Sequence, residues 1–360
     1  MSYTNGLDKP TDYFNTVLYT GNAVDGSGTT QSVTGVGFQP DWVWIKSRSA
    51  TKSHYLFDVV RGATKQLNSN NTNDENTGTT SLTAFGSDGF TLGSEPEVNE
   101  QNTTFVSWNW KVGGSPSSNS DGSITSSVSV NQTAGISIGT FTGTASVGTV
   151  GHGLNAVPSM IINRTITSDG KDWMTYHHKN TSAPQTDYLA LNSTNATADF
   201  EDVWNDTDPT SSLFTIGDSS QNNTGSGTSI FYAFAEKKGF SKFGSYVGNA
   251  NNDGPFCFTG FKPALVIKKR AEFGADYRGN WQIHDNKRGE YFPGNVVNNR
   301  IDHTNNAESG GDDLGFDFLS NGFKVRTGNV NYNPSGEKVI YIAFAESPFV
   351  TSTGIPTTAK

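Results

Sequence analysis

The chain repeats itself, and that restricts its fold more than any other feature. Three segments carry the same landmarks in the same order, which is the mark of one small module used in tandem. Each segment opens with an aromatic strand that ends in a glycine turn: Tyr19-Thr20-Gly21-Asn22, Phe141-Thr142-Gly143-Thr144 and Tyr246-Val247-Gly248-Asn249. A proline then starts an apolar strand: Pro40-Asp41-Trp42-Val43-Trp44-Ile45, Pro158-Ser159-Met160-Ile161-Ile162 and Pro263-Ala264-Leu265-Val266-Ile267. Phe38, Leu154 or Phe261 stands shortly before that proline, and Arg48, Arg164 or Arg270 closes the strand. A second aromatic strand ends each segment, at 105–111, 231–237 and 341–346, and Trp108, Phe234 and Phe344 are expected to share one register.

The first and third segments share more. Asp58-Val59-Val60-Arg61-Gly62 matches Asp285-Asn286-Lys287-Arg288-Gly289, and Ser87-Asp88-Gly89-Phe90 matches Ser320-Asn321-Gly322-Phe323. The middle segment has His177-His178-Lys179 at the first of these places and no Asp-Gly or Asn-Gly turn before Leu213-Phe214. The predicted organisation is a first repeat with an N-terminal arm over 1–113, a linker over 114–122, a second repeat over 123–238, a third over 239–350 and a tail over 351–360. The Gly/Ser-rich linker is flexible by composition. The alternation of Ile124, Ser126, Val128 and Val130 predicts the first strand of the second repeat. The second junction, Lys237-Lys238-Gly239-Phe240, is short, which predicts that repeats two and three pack as the firmer pair.

Short runs of β-branched and aromatic residues, separated by dense turn signals, predict an all-β fold: three tandem antiparallel β-sandwiches of jelly-roll or lectin-like type, roughly 100 residues each. Asp88-Gly89 and Asn321-Gly322 are expected to supply the φ > 0 residues of tight hairpins. In the central strand Trp42 and Trp44 face one way and Val43 and Ile45 the other, so both faces are covered. In the closing strand Val106, Trp108 and Trp110 oppose Ser107 and Asn109, the pattern of a half-buried strand. The best helical candidate, residues 59–67, is short.

The 33% hydrophobic and 12% aromatic content fits thin cores between polar turns rather than a disordered chain. The net charge is −9 and the basic residues form no run, which argues against binding bare nucleic acid. No stretch approaches the ~20 apolar residues of a membrane span. Residues 1–6 lack a basic start followed by an apolar run, so a secretory signal is not expected and the chain is expected to be made in a cytoplasm. The single cysteine, Cys257, excludes an internal disulfide and is expected to be a buried, inert thiol.

No catalytic, cofactor or metal site emerges. His177-His178 are strand neighbours that point to opposite faces, a poor metal pair. Asp58/Arg61 and Asp285/Arg288 read as ion pairs that lock a turn. The tryptophan pairs read as core, whereas Tyr277, Tyr291 and Trp204 are the candidate contact residues in loops. Asp206/Asp208 and Asp312-Asp313 lack calcium-loop spacing. Glu95, Glu97, Glu201, Glu236 and Glu346 do not form the facing carboxylate pair that glycoside hydrolysis requires.

The runs 12–22 and 37–46, with Val60-Arg61-Gly62, Ser87-Asp88-Gly89-Phe90 and residues 233–242, resemble a repeat found in proteins of marine bacteriophages. The resemblance covers nearly the whole chain. It implies a virion protein of tail-fibre or particle-surface type, with other virion proteins as partners, and no enzymatic role is expected. A symmetric homo-oligomer, a trimer, is expected on general grounds, and repeated sandwiches with polar outer loops suit contact with a host-surface glycan. A capsid decoration or head-fibre protein and a lectin-like depolymerase are the alternatives.

Overall fold

The computed structural model describes residues 7–272, 279–289, 296–311 and 315–357. It is all-β, with three short helical turns at Pro10–Asp12, α1 (Pro96–Asn99) and α2 (Glu201–Trp204). The first strands are β1 (Phe14–Thr20), β2 (Gln31–Thr34), β3 (Trp42–Ser47), β4 (Tyr55–Asp58), β5 (Lys65–Asn68), β6 (Asn76–Thr77), β7 (Leu82–Gly86), β8 (Gly89–Leu92) and β9 (Thr104–Trp110). Next come β10 (Ser117–Asn119), β11 (Ser126–Asn131), β12 (Ile136–Thr142), β13 (Gly148–Gly151), β14 (Met160–Thr165), β15 (Met174–His177), β16 (Asp187–Ala190), β17 (Ala198–Asp199), β18 (Leu213–Ile216) and β19 (Thr228–Phe234). The last are β20 (Ser241–Val247), β21 (Phe256–Phe258), β22 (Phe261–Arg270), β23 (Gln282–Asp285), β24 (Val296–Val297), β25 (Ile301–Asp302), β26 (Phe316–Leu319), β27 (Gly322–Val325) and β28 (Lys338–Pro348).

These strands form three large antiparallel sheets, each with a small sheet from the same stretch of chain. The large sheets run β1-β9-β3-β4-β5-β6, then β12-β19-β14-β15-β16-β17 with β11 and β10 added outside β12, then β20-β28-β22-β23-β25. In all three the closing strand lies between the opening strand and the proline strand. The small sheets are β2-β8-β7, β13-β18 and β21-β27-β26-β24. Because strand side chains alternate between faces, each large sheet has two faces to cover. One face packs on its own small sheet, giving three separate cores; Val43, Phe57, Phe90 and Phe105 belong to the first of them.

The other faces of all three large sheets meet in one common core. Trp42, Trp44, Trp108 and Trp110 enter it from the first sheet, Ile162, Tyr232 and Phe234 from the second, and Leu265, Ile342 and Phe344 from the third. The rings interlock. Trp42 stacks on Trp110 at 4.2 Å and on Tyr232 at 4.8 Å, while Phe344 meets Trp110 at 5.7 Å and Phe234 at 6.1 Å. A void of about 20 Å³ lies between Trp42, Trp110, Met160, Phe234 and Phe344 among others. An apolar void of that size stays dry.

Polar contacts at three corresponding positions tie the sheets together in a cycle. Just before the fourth strand of each large sheet, His54 Nε2 lies 2.9 Å from the Asp302 carbonyl, and Trp173 and Trp281 each donate Nε1–H at 2.9 Å to the carbonyls of Asn68 and Ala190. Those acceptors correspond, since Asn68, Ala190 and Asp302 pair with Tyr55, Met174 and Gln282. Four residues beyond Trp42, Met160 and Leu265 stand Lys46, Arg164 and Lys269, all fully buried. They donate to the carbonyls of Asn305 (3.3 Å), Asn71 (3.3 Å) and Ser193 (3.1 Å). Each acceptor lies three residues past Asp302, Asn68 and Ala190. Finally, Trp108 Nε1–H donates to Asp285 at 2.9 Å and the Tyr232 hydroxyl to Asp58 at 2.8 Å. The third member of this set would pair Ile342, which has no donor, with His177 in the aspartate position. His177 Nε2 instead lies 3.3 Å from the Tyr341 carbonyl. Apart from the His177 contact, which runs from the second sheet to the third, the donors and acceptors of these sets keep one order: first sheet to third, second to first, third to second.

Several expectations are corrected. The corresponding closing-strand residues are Trp110, Phe234 and Phe344, because each pairs with Trp42, Met160 or Leu265; Trp108 corresponds to Tyr232. Likewise Lys46 and Lys269, not Arg48 and Arg270, match Arg164. Ser107 and Asn109 are fully buried, so the closing strand is covered on both faces. Residues 59–67 hold a turn and the start of β5 rather than a helix. The 114–122 stretch contains β10, which pairs with β11. The opening strand of the second sheet is β12, and β11 is an addition outside it. All three sheets share the core, so the second and third do not form a separate pair. Gly89 has the expected positive φ, +148°, whereas Gly322 is not among the positive-φ glycines; both are needed for close approach, since a Cβ on Gly89 would meet the Val33 carbonyl at 2.0 Å and one on Gly322 the Cys257 carbonyl at 2.1 Å.

Removing the ring of Trp108 takes away core volume and leaves a cavity, so Trp108→Ala is expected to cost ~3–5 kcal/mol. Tyr232→Phe keeps the ring and loses only its hydrogen bond to the Asp58 carboxylate, an expected loss of about 1.5–3 kcal/mol. Denaturant unfolding of both variants checks the ranking; equal losses would contradict it.

Candidate functional site

The interior between β22-β23-β25 and the small sheet of the third pair differs in chemistry from its counterparts. Lys268, Gln282 and Asp302 stand directly opposite one another on three neighbouring strands, hence on one face, and His284 follows on β23. The corresponding residues are Ile45, Tyr55, Asn68 and Phe57 in the first pair and Asn163, Met174, Ala190 and Tyr176 in the second. Four polar side chains thus replace a largely apolar set.

Most of this cluster is closed to water. Lys268, His284 and Tyr332 are fully buried, and Gln282 is 2% exposed. The Lys268 amine lies 3.8 Å from the centre of the Tyr332 ring and donates to the Asn331 carbonyl. Burial, helped by Arg300 and other neighbouring cations, drives the Lys268 amine well below its usual range, although Asp302 opposes this. Burial raises the Asp302 carboxyl, which lies 3.4 Å from Arg300 Nε. Burial also drives the His284 imidazole well down. Its ring nitrogens make no hydrogen bond of ordinary geometry, and neither do Gln282 Oε1 or Asn331 Oδ1, while Asp302 Oδ1 has the Arg300 ion pair. The backbone of Asn299 is near enough to oppose the His284 shift slightly. So many unpartnered polar atoms in one interior is unusual for a folded protein and calls for a chemical reason.

A second candidate lies on the surface of the same pair. Phe256 and Phe258, 46% and 60% exposed, project from the edge strand β21. The corresponding residues of the other pairs are Ser32 and Thr34, and Thr149 and Gly151. A cleft of about 570 Å³ is lined by Phe258, Phe349, Lys242 and Glu236. A second, of about 490 Å³, includes His178, Lys242, Glu236 and Tyr341.

The residues singled out in the sequence mostly fall elsewhere. Trp204 is 2% exposed, in the core of the second pair, so it is not a surface contact. Tyr277, Tyr291, Asp312 and Asp313 lie outside the described residues. Trp42, Trp44, Trp108 and Trp110 are core. Asp58/Arg61 and Asp285/Arg288 are buried ion pairs at 2.6 Å that also accept the Tyr232 and Trp108 hydrogen bonds. Glu236 and Glu346 are each paired with a lysine, Lys242 and Lys262, at 2.7 Å. Among the described residues no group of three His, Cys, Asp or Glu could hold a metal ion, and no helix is long and apolar enough to cross a membrane. Cys257 is buried, its thiol pushed up to about 12 by burial. The polar third interior was missed because Lys268, Gln282, His284 and Asp302 are far apart in sequence. Aligning the repeats through the closing strand would have exposed it.

The chain belongs to the DUF7483 family, a domain of unknown function, which it matches over residues 9–348. No curated protein and no solved structure matches it. One family match spans all three sheet pairs, so the family's unit is the whole assembly.

The buried bases predict a pH dependence. Burial lowers Lys269 to about 7 and Lys46 to about 8 from their usual 10.5. Between pH 7 and 10.5 the unfolded chain therefore holds more protons than the folded one, and this contribution makes stability rise with pH. His177 and His303, held by burial at about 3 against 6.5, do the same between those two values. Thermal melts of the wild type and Lys269→Met should show a rise from pH 7 to 10 that is smaller in the variant. Equal slopes would contradict the assignment.

Proposed function

We propose that the chain is three tandem copies of one antiparallel β-sandwich module and serves as a non-enzymatic virion protein of a bacteriophage, in a tail or fibre appendage that touches a host-surface glycan. The observation that carries this reading is the cycle of corresponding contacts around one aromatic core. A body tied together in this way is rigid, and a rigid scaffold suits the presentation of polar loops. Three similar modules in one chain offer several similar contacts to a repeated surface, which raises avidity. The internal cycle also supplies within one chain the threefold form that a homotrimer would supply with three.

The contact face in this reading is the cleft beside Phe258 and Phe349, where exposed rings are available to stack on sugar. Phe258→Ala should abolish glycan and cell binding while leaving the melting temperature unchanged. Binding that survives the change would remove this face from the account.

The virion assignment is tested by labelling intact particles with an antibody and imaging them by electron microscopy. Label at the tail supports the appendage reading. Label over the head supports a decoration protein instead, and particles without label overturn the virion reading.

A further inference from the structure

Lys268 is less well served than the other buried lysines. Lys46 and Lys269 each donate to two backbone carbonyls, whereas Lys268 has one, that of Asn331. The Lys268 amine therefore contacts the backbone of Asn331, and the side-chain carbonyl of the same residue is buried with no hydrogen-bond partner. The loop that carries Asn331 is pinned: its backbone N–H donates to Asn329 Oδ1 at 2.9 Å, and that of Tyr332 to the Asn329 carbonyl at 2.9 Å. Tyr332, Phe316 and Phe323 enclose the interior and keep water out. Asp302 shares the face of Lys268, one strand beyond Gln282.

We propose that Lys268 and Asn331 become joined by an intramolecular isopeptide bond, formed by the folded chain itself with Asp302 as the proton carrier. The Lys268 amine attacks Cγ of the Asn331 carboxamide, and the Nζ–Cγ bond forms. The Asp302 carboxyl protonates the resulting tetrahedral centre and recovers a proton from Nζ. The Cγ–Nδ2 bond breaks, and Nδ2 leaves as ammonia with the proton that Nζ has lost. Nothing is oxidised or reduced, and no co-reactant is required.

The electrostatics suit each role. Burial and the surrounding cations favour the neutral, nucleophilic form of the lysine, and burial favours the protonated form of Asp302. The bond removes a buried amine and turns two poorly paired groups into one amide. It also links β22 to the loop that precedes β28. The first and second pairs have Ile45 and Asn163 in place of Lys268, so the bond belongs to the third pair alone.

Intact-mass measurement of the full chain, with peptide mapping, decides the matter. The expected mass is below the sequence mass by one ammonia, about 17 Da, and the peptides that contain Lys268 and Asn331 are recovered as one branched species. Lys268→Arg and Asp302→Asn are expected to retain all their ammonia. A wild-type mass equal to the sequence mass overturns the proposal whether or not the variants fold. A branch that joins Lys268 to Gln282 overturns the choice of Asn331.

Discussion

Three sheets cannot each bury a second apolar face alone, and the arrangement follows from that constraint. A sandwich of one large and one small sheet covers only one side of the large sheet. The remaining side carries Trp42, Trp44, Trp108 and Trp110 in the first sheet and mainly aliphatic residues with Tyr232, Phe234 and Phe344 in the others. Exposed, these faces would be aggregation surfaces. Turned inward they fill one core, and the largest rings of the first sheet occupy the space that Met160, Ile162, Ile267 and Ile342 leave. The sheets complement one another in volume without being identical, as a close-packed interior requires.

Polar groups fix how these faces meet. Apolar packing tolerates sliding, but a buried indole N–H or lysine amine without an acceptor costs more than a poor contact. The indoles of Trp108, Trp173 and Trp281 each find an acceptor on the neighbouring sheet, and so do the cations of Lys46, Arg164 and Lys269. The indole N–H groups of Trp42 and Trp110 in the same core have no such acceptor, so the cross-sheet bonds hold at particular positions of the cycle and not for every ring. Where Ile342 offers no donor, the opposite position holds His177 instead of aspartate, so no buried carboxylate lacks its partner. Asp58 and Asp285 are paired with Arg61 and Arg288 at 2.6 Å.

Strand content, the alternation of faces in β3 and the burial of the tryptophan pairs Trp42/Trp44 and Trp108/Trp110 were legible in the sequence, because period-two patterning and proline and glycine punctuation are local. The common core was not. Trp42 reads as inward on its own strand, but nothing local says that its neighbour is Tyr232, 190 residues away. The register error had a similar origin: Trp108 and Phe234 look alike in composition, and only the pairing with β3 and β14 separates them. The Gly/Ser stretch before β11 read as a linker because its composition is that of a flexible chain, yet the edge of β11 was free to pair with it. The polar interior of the third pair was hidden for the same reason as the core, since its members meet only across three strands.

The central claim is that the three sheet pairs are one cooperative unit held by their shared core. Native-state hydrogen exchange of the wild type and of Phe344→Ala tests it most directly. The slowest amides of β9, β19 and β28 are expected to open with a common free energy, and the substitution is expected to lower all three by the same amount. Loss of protection confined to β28 and its neighbours, with β9 and β19 unchanged, would contradict it.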